Sequence, residues 1–362
     1  MIPEREKILE LLGTVNDPDL KKDIVSLNFV DDLVLEENRI SLTVSTSNPA
    51  LHARKKMQEL VTNTLKGRFS DMEIDLTVKS LPADASQARR KILPEIKNII
   101  AVASGKGGVG KSTVTANLAG GLVKKGYKVG IVDADIYGPS MPTMFDVVGE
   151  RPTMIEYEGK PMIRPVLSYG IYILSIGFFT EQDNAVVWRG PMAAKAMTQM
   201  LTDAHWDELD YLLIDLPPGT GDIHLSLVQT VPLDGAVIVS TPQEVALTDA
   251  RKGINMFKLD TINVPIIGIV ENMAWFTPEE LPDNKYFIFG RDGAKNLANG
   301  MNVPFLGHLP LVQSIREAGD AGRPAVFQEN SLLASYIDEM VDRFIENVNL
   351  ARISRIKKAQ HA

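Results

Sequence analysis

Residues 104–113 read SGKGGVGKST, between the apolar run NIIAVA at 98–103 and the segment VTANLAGGLVKKG at 114–126. From Gly105 to Ser112 the stretch satisfies G-x-x-x-x-G-K-[ST], and its flanks give the strand, loop and helix order in which that pattern has a physical meaning. Gly107, Gly108 and Gly110 let the backbone wrap until successive N–H groups face one anion, and the positive end of the helix beginning near Gly110 adds to the attraction. Lys111 then places its ammonium against the β- and γ-phosphates of a nucleotide, and the Ser112 hydroxyl is the expected magnesium ligand. The competing reading is a glycine-rich turn with no ligand. Three glycines, Lys-Ser-Thr and the right flanks together disfavour it. The candidate ATP-binding set is therefore Gly105, Lys106, Gly107, Gly108, Val109, Gly110, Lys111, Ser112 and Thr113.

Working outward, short β-branched runs alternate with helical stretches from residue 98 on. NIIAVAS, YKVGIVDAD, YLLIDLPPG, GAVIVSTP and PIIGIVENM are near-continuous apolar strands of the kind buried on both faces. They predict an α/β fold, a mostly parallel sheet wrapped by helices. Ligands of such sheets sit beyond the carboxyl ends of the strands. Asp133 and Asp135, Asp215 and Gly219, and Asn272 all fall there. Asp215 closes an apolar strand in the usual layout for a carboxylate that holds magnesium through water, and Gly219 is free to present its N–H to a γ-phosphate. Asp133 and Asp135 stand one residue apart at a strand end, where side chains tend to face opposite ways and so serve different roles.

The first block reads as a small α+β domain over 1–80. A helix is expected near PEREKILELL, and another from Asp17, which can cap it with Pro18 in the first turn. Two strands about a Glu37-Asn38 turn follow, then a helix through NPALHARKKMQELVTNTL and a strand in MEIDLTVKS. Residues 81–97 carry two prolines without clear periodicity and read as a linker, 98–350 as the nucleotide-binding domain, and 351–362 as a basic C-terminal tail. Leu333, Ile337, Met340, Val341, Phe344 and Ile345 have helical spacing. A core-packed helix is favoured over a membrane-targeting one, because Asp338, Glu339, Asp342 and Glu346 would be repelled by anionic lipid.

Composition bounds the partners. The chain has 362 residues, 44% hydrophobic and 23% charged, enough for two or three packed domains. Its net charge of -8 argues against broad DNA binding. With no bilayer-length apolar run and no signal-like start, no membrane association is expected and a cytoplasmic location is. There is no cysteine, which excludes disulfides, thiolate metal sites and cysteine nucleophiles together. The five histidines, His52, His205, His224, His308 and His361, show no i, i+4 pairing and read as structural or exposed.

Lysine at the second position of the loop departs from an ordinary P-loop. KGGVGKST resembles the deviant Walker A motif of the MinD, ParA and nitrogenase-iron-protein class of ATPases. VVWRGPM, WDELDYLLIDLPPGTGD, VSTPQEVALTDARKGINMF, VPIIGIVENM and SIREAGDAGRP narrow the resemblance to the Mrp/ApbC branch, known as iron-sulfur cluster carriers. DPDLKKDIVSLNFV resembles the small iron-sulfur assembly module fused to many bacterial members. The resemblance implies a homodimer with ATP at the interface. Lys111 would bind phosphate within its own subunit, and Lys106 would reach across to the partner's nucleotide like an arginine finger. It further implies that Asp135 orients the attacking water, that Asp133 and Asp215 support magnesium together with Ser112, and that Asn272 contacts adenine. The catalytic set is then Lys106, Lys111 and Asp135. Arg189 in WRGP reads equally as an interface residue or as a surface arginine beside a tight turn.

The chain departs from the family where clusters are bound. Members carry Cys-Pro-x-Cys shortly after ENM, a pair that supplies four thiolates when two subunits meet. Here Thr277-Pro278-Glu279-Glu280 stands in its place, and TSNPALH lacks the cysteine expected in the N-terminal module. Glu279, Glu280 and Asp283 read as a solvated acidic loop. Two classes of function follow: an ATP-hydrolysing dimer serving iron-sulfur apoproteins or assembly factors, by carriage or as a scaffold, and a ParA/MinD-type spatial switch driven by ATP.

Overall fold

A computed structural model describes residues 4–17, 22–27, 29–46, 51–80, 93, 95–136, 138–179, 190–221, 224, 225, 228, 231–259, 262–278, 280, 281, 283–328 and 332–360. Two compact units divide the chain: Met1–Ala85 together with Arg352–Ala362, and Ser86–Ala351.

The first unit holds helix α1 (Arg5–Leu12), strands β1 (Val30–Leu35) and β2 (Arg39–Thr46), helix α2 (Leu51–Arg68) and strand β3 (Glu73–Ser80). β1 and β2 pair antiparallel and β3 joins β2 in parallel. The helix expected from Asp17 is not found over the described residues 22–27. Asn16 instead bridges Asp23, and the Asp23 carboxylate accepts the Ser26 N–H at 2.7 Å, fixing a turn. This is the local side-chain competition that makes aspartate a poor helix-interior residue.

In the second unit, β4 (Ile96–Ala103) is followed by helix α3 (Lys111–Lys124) and β5 (Val129–Asp133). An exposed hairpin, β6 (Thr153–Tyr157) with β7 (Lys160–Arg164), leads to β8 (Val166–Ser168) and β9 (Ile171–Ser175). Then come β10 (Leu209–Asp215), β11 (Gly235–Ser240), β12 (Ile266–Glu271) and β13 (Phe305–His308). The sheet order is β13-β12-β11-β4-β10-β5-β9-β8, parallel throughout except for the antiparallel edge strand β8. Alternation along β4 shows why its run is continuous. Ile99, Ala101 and Ala103 enter the core layer holding Phe257, while Ile100 and Val102 enter the opposite layer of α3 and Phe344.

β4 begins two residues earlier than the apolar run, inside the segment expected as linker. Its pairing with β10 carries it back to Ile96, and the exposed Lys97 reaches Asp210 at 2.7 Å. The helix Leu332–Gln360 is likewise longer than expected. Leu333, Ile337, Met340, Val341 and Phe344 are buried in the core. No glycine or proline stops it, so the basic segment expected as a tail is helical through Gln360, with Ile353 and Ile356 buried and Lys357 3.9 Å from Asp31. Among the described residues, no helix is long and apolar enough to cross a membrane.

Candidate functional site

Sheet order makes the site. After β4 the chain places β5 on one side, returns to insert β10 between them, and then builds β11, β12 and β13 on the other side. The carboxyl ends of β4 and β10 therefore open at a topological switch point, where chain segments diverge and leave a crevice. Register puts Asp215 beside Val102 of β4 and Asp133 of β5.

The glycine loop turns from β4 into α3 with Gly108 at φ 80° and Gly110 at φ 81°, left-handed values that glycine adopts without a Cβ penalty. A Cβ on Gly110 would collide with Asn272 Nδ2, whereas one on Gly108 would meet nothing within 4 Å. The loop is thus tight on its inner side and open on its outer one. Gly110 is the N-cap of α3, and no side chain caps that end, so its first N–H groups are disposed for an anion.

Beneath the loop lies a buried charged cluster. Lys111, 6% exposed, brings Nζ to 2.7 Å from Oδ2 of the fully buried Asp215 and to 3.6 Å from Asp135 Oδ2. The Ser112 hydroxyl donates to the same Asp215 oxygen at 2.6 Å, and Thr115 donates to Oδ1 at 2.7 Å. Both oxygens of the carboxylate are engaged, which makes its burial tolerable.

Asp133 and Asp135 do face different ways. Asp133 Oδ2 accepts from the Ser140 and Met141 amides at 3.0 and 3.1 Å and from Ser175 Oγ at 2.9 Å, while Oδ1 accepts the Asp135 N–H. Burial, and then repulsion from Asp215, push its carboxyl up to about 7. Asp135 is the member of the pair turned toward Lys111.

Two expected contacts are used differently. The Gly219 N–H, read as a γ-phosphate donor, gives its hydrogen to the Ser104 carbonyl at 2.9 Å, with φ 101° at that glycine. Asn272, read as an adenine contact, donates Nδ2 to the Val109 carbonyl at 2.8 Å and is 6% exposed, so this side of its amide braces the loop backbone. Lys106 is exposed. Val109 is buried, and Gly105 lies so close to the helix Glu244–Phe257 that a Cβ there would collide with the Asp249 backbone. Thr113 is half-buried and gives its carbonyl to Asn117. Glu280 and Asp283 are exposed, and Arg189 and Glu279 lie outside the described residues.

Sequence reading missed Thr115 and Ser175. Thr115 follows Lys111 by four residues, one helical turn, a spacing that could have marked it. Ser175 ends a strand far along the chain and carries no such signal. His224 is also more embedded than its sequence suggests. It is 2% exposed, its Nε2 has no partner among the described residues, and burial, with a smaller contribution from the Lys111 charge, lowers its pKa to about 4.

Residues 95–348 match the ParA family model described as the NUBPL iron-transfer P-loop NTPase. The chain belongs to that family. Residues 5–74 match a second model, the iron-sulfur cluster assembly protein. The iron-sulfur cluster carrier protein of Synechocystis is 41% identical over 96% of this chain and 99% of its own length. That of Deinococcus radiodurans is 40% identical over 91% of each. Among solved structures, a nucleotide-binding protein of Archaeoglobus fulgidus in complex with ADP is 37% identical, with a TM-score of 0.58 over 68% of this chain and 96% of its own. As a NUBPL-type P-loop NTPase, the chain carries Lys111 and Ser112 at the start of α3, after the loop that follows β4, and brings Asp215 to them from the end of the neighbouring strand β10.

Proposed function

We propose that this chain binds ATP with Mg2+ and hydrolyses it as a homodimer in the service of iron-sulfur protein maturation, acting as a scaffold whose partners supply the thiolates. The observation that carries the nucleotide part is the convergence of Lys111, Ser112 and Asp215 beneath an uncapped helix start. The residues fit the group. Amides of Gly107 through Lys111 cradle the phosphates, Lys111 exchanges part of its contact with Asp215 for the β- and γ-oxygens, and Ser112 with Asp215 offers oxygen donors suited to a hard cation. When bound, magnesium would supply neutralisation of phosphate charge. Asp135, beside Lys111, orients the attacking water, and Asp133 acts behind it by fixing the turn that carries Asp135. The exposed Lys106 is the residue that reaches the partner's nucleotide and meets charge developing in transfer.

The cluster is cargo, and this chain's own residues do not fit it. Iron-sulfur clusters are held mainly by thiolates, of which the sequence has none. Among the described residues, no group of three or more His, Asp or Glu side chains is placed to hold a metal ion. The maturation role rests on family membership and on the carrier proteins it resembles. One experiment tests both parts: phosphate release from Mg-ATP measured beside sedimentation, with partners captured with and without ATP and assayed for iron and sulfide. No turnover overturns the nucleotide part, and partners free of iron-sulfur proteins and assembly factors overturn the maturation part.

A further inference from the structure

The strand that leads into Asn272 ends in a carboxylate that the proposed function does not use. Glu271 is the last residue of β12 and is fully buried. Its Oε2 accepts the Ala294 N–H at 2.6 Å, at the start of the helix Gly293–Met301. That helix has Asp292 as its N-cap residue, in a left-handed conformation with no capping bond of its own. Glu271 therefore caps it from a neighbouring strand, where a negative group is favoured by the helix dipole. The other oxygen, Oε1, has no hydrogen-bond partner among the described residues and lies 3.6 Å from His308 Nε2, which is itself 3.1 Å from Asp292 Oδ1. His308 ends β13 and packs edge-on against Phe305. Three elements, the end of β12, the helix start and the end of β13, thus meet on one side chain.

A buried carboxylate that is only half satisfied costs stability, and an apolar residue would fill the same space without that cost. What Glu271 adds is a fixed position for the residue that follows it. Asn272 is held by its N–H on the Ser240 carbonyl, and its Nδ2 reaches the Val109 carbonyl against Gly110, where the fit leaves no room for a Cβ. That 2.8 Å bond weakens as its geometry departs from ideal, so it depends on where the strand end is held.

We infer that Glu271 is a positioning residue of the nucleotide site: tied to the Ala294 amide and facing His308, it fixes the end of β12 so that Asn272 braces the P-loop. This rests on the nucleotide reading above, and the test separates the two. ATP affinity is measured by calorimetry, and KM and kcat for ATP by phosphate release, in wild type, Glu271→Gln, Asn272→Ala, the double variant and Leu297→Ala. Leu297 is a buried residue of the same helix with no place in the site, so its truncation reports destabilisation alone. Glu271→Gln keeps the shape and an acceptor while removing the charge. It is expected to weaken ATP binding about fivefold, raising KM with kcat little changed. Leu297→Ala is expected to lower the melting temperature at least as much and leave affinity within about twofold. If Glu271 acts through Asn272, the double variant binds no more weakly than Asn272→Ala, within about twofold. The inference is overturned if Glu271→Gln binds ATP like wild type, if Leu297→Ala weakens binding equally, or if the two site substitutions multiply. A wild-type chain that binds no ATP overturns both readings, whereas normal wild-type binding with an unaffected Glu271→Gln overturns this one alone.

Discussion

Two loops leave the carboxyl edge of the same sheet and are built in opposite ways. The loop after β4 lies over Lys111 and Asp215, a cation and an anion withdrawn from water and joined by Ser112 and Thr115. The segment after β12 presents Leu281, Tyr286, Phe287 and Ile288 to solvent, with exposed Glu280 and Asp283 and no thiolate. Buried charge is costly unless it is paired, and in the first loop each member of the cluster has a partner. The second lacks the soft ligands its relatives' cargo demands. The contacts of the first loop's cluster are complete without any thiolate.

The largest effect that would break this contrast is all-or-none. The purified chain is expected to hold no stable [4Fe-4S] cluster after anaerobic reconstitution, because carboxylates and scattered imidazoles suit such clusters poorly. Iron and sulfide content after desalting, with the visible charge-transfer band, is the measurement. A stoichiometric cluster that survives without added thiol would restore direct carriage and erase the difference between the loops.

Next in size is the role of the exposed lysine. Lys106→Ala is expected to bind ATP in each subunit and lose hydrolysis by up to roughly 10³-fold, as when an arginine finger is removed. Mixed with Lys111→Ala, it should regain part of the turnover. A subunit that keeps Lys111 then receives Lys106 from its partner. Full turnover by the Lys106→Ala homodimer would place the catalytic charge elsewhere.

At the first loop, Lys111→Ala removes the cation proposed to face the phosphates, and ATP affinity is expected to fall by about 10²-fold, equivalent to a lost charge-assisted contact of about 3 kcal/mol. The fold should persist, because Ser112 and Thr115 still donate to both oxygens of Asp215. Calorimetric titration beside a thermal melt checks both halves. Unchanged affinity would remove Lys111 from the site.

How much of this was legible follows from the same contrast. β4, β5, β10, β11 and β12 declare themselves as apolar runs because both their faces are buried, and the loop declares itself because its glycines are needed for φ. β13 has only four residues, too few to offer a period to read, whereas β9 is as long as β5 and still went unread. Asp215 was legible from its strand, but the Thr115 and Ser175 hydroxyls were not, since satisfying a buried carboxylate is a tertiary matter. Asn272 shows the limit most clearly. Its place at a strand end was readable, while the Val109 carbonyl it bonds could be known only once β12 and the loop were packed together.

The smallest expected effect concerns His224, which the burial of the site holds neutral. Its pKa is lowered from 6.5 to about 4 in the folded chain, by burial first and the Lys111 charge second. The unfolded chain therefore takes up the proton first as pH falls. Stability is unaffected well above pH 6.5, declines as pH drops from there toward 4, and levels off below that. By pH 5 the linkage amounts to about 2 kcal/mol. Denaturant unfolding at pH 7.5 and pH 5 should show wild type losing more stability than His224→Gln, which keeps a hydrogen-bonding group but cannot titrate. Equal losses in the two proteins would mean that His224 is protonated without penalty. The switch-point crevice would then be far wetter than the buried Lys111–Asp215 pair requires, and the contrast with the exposed second loop would narrow accordingly.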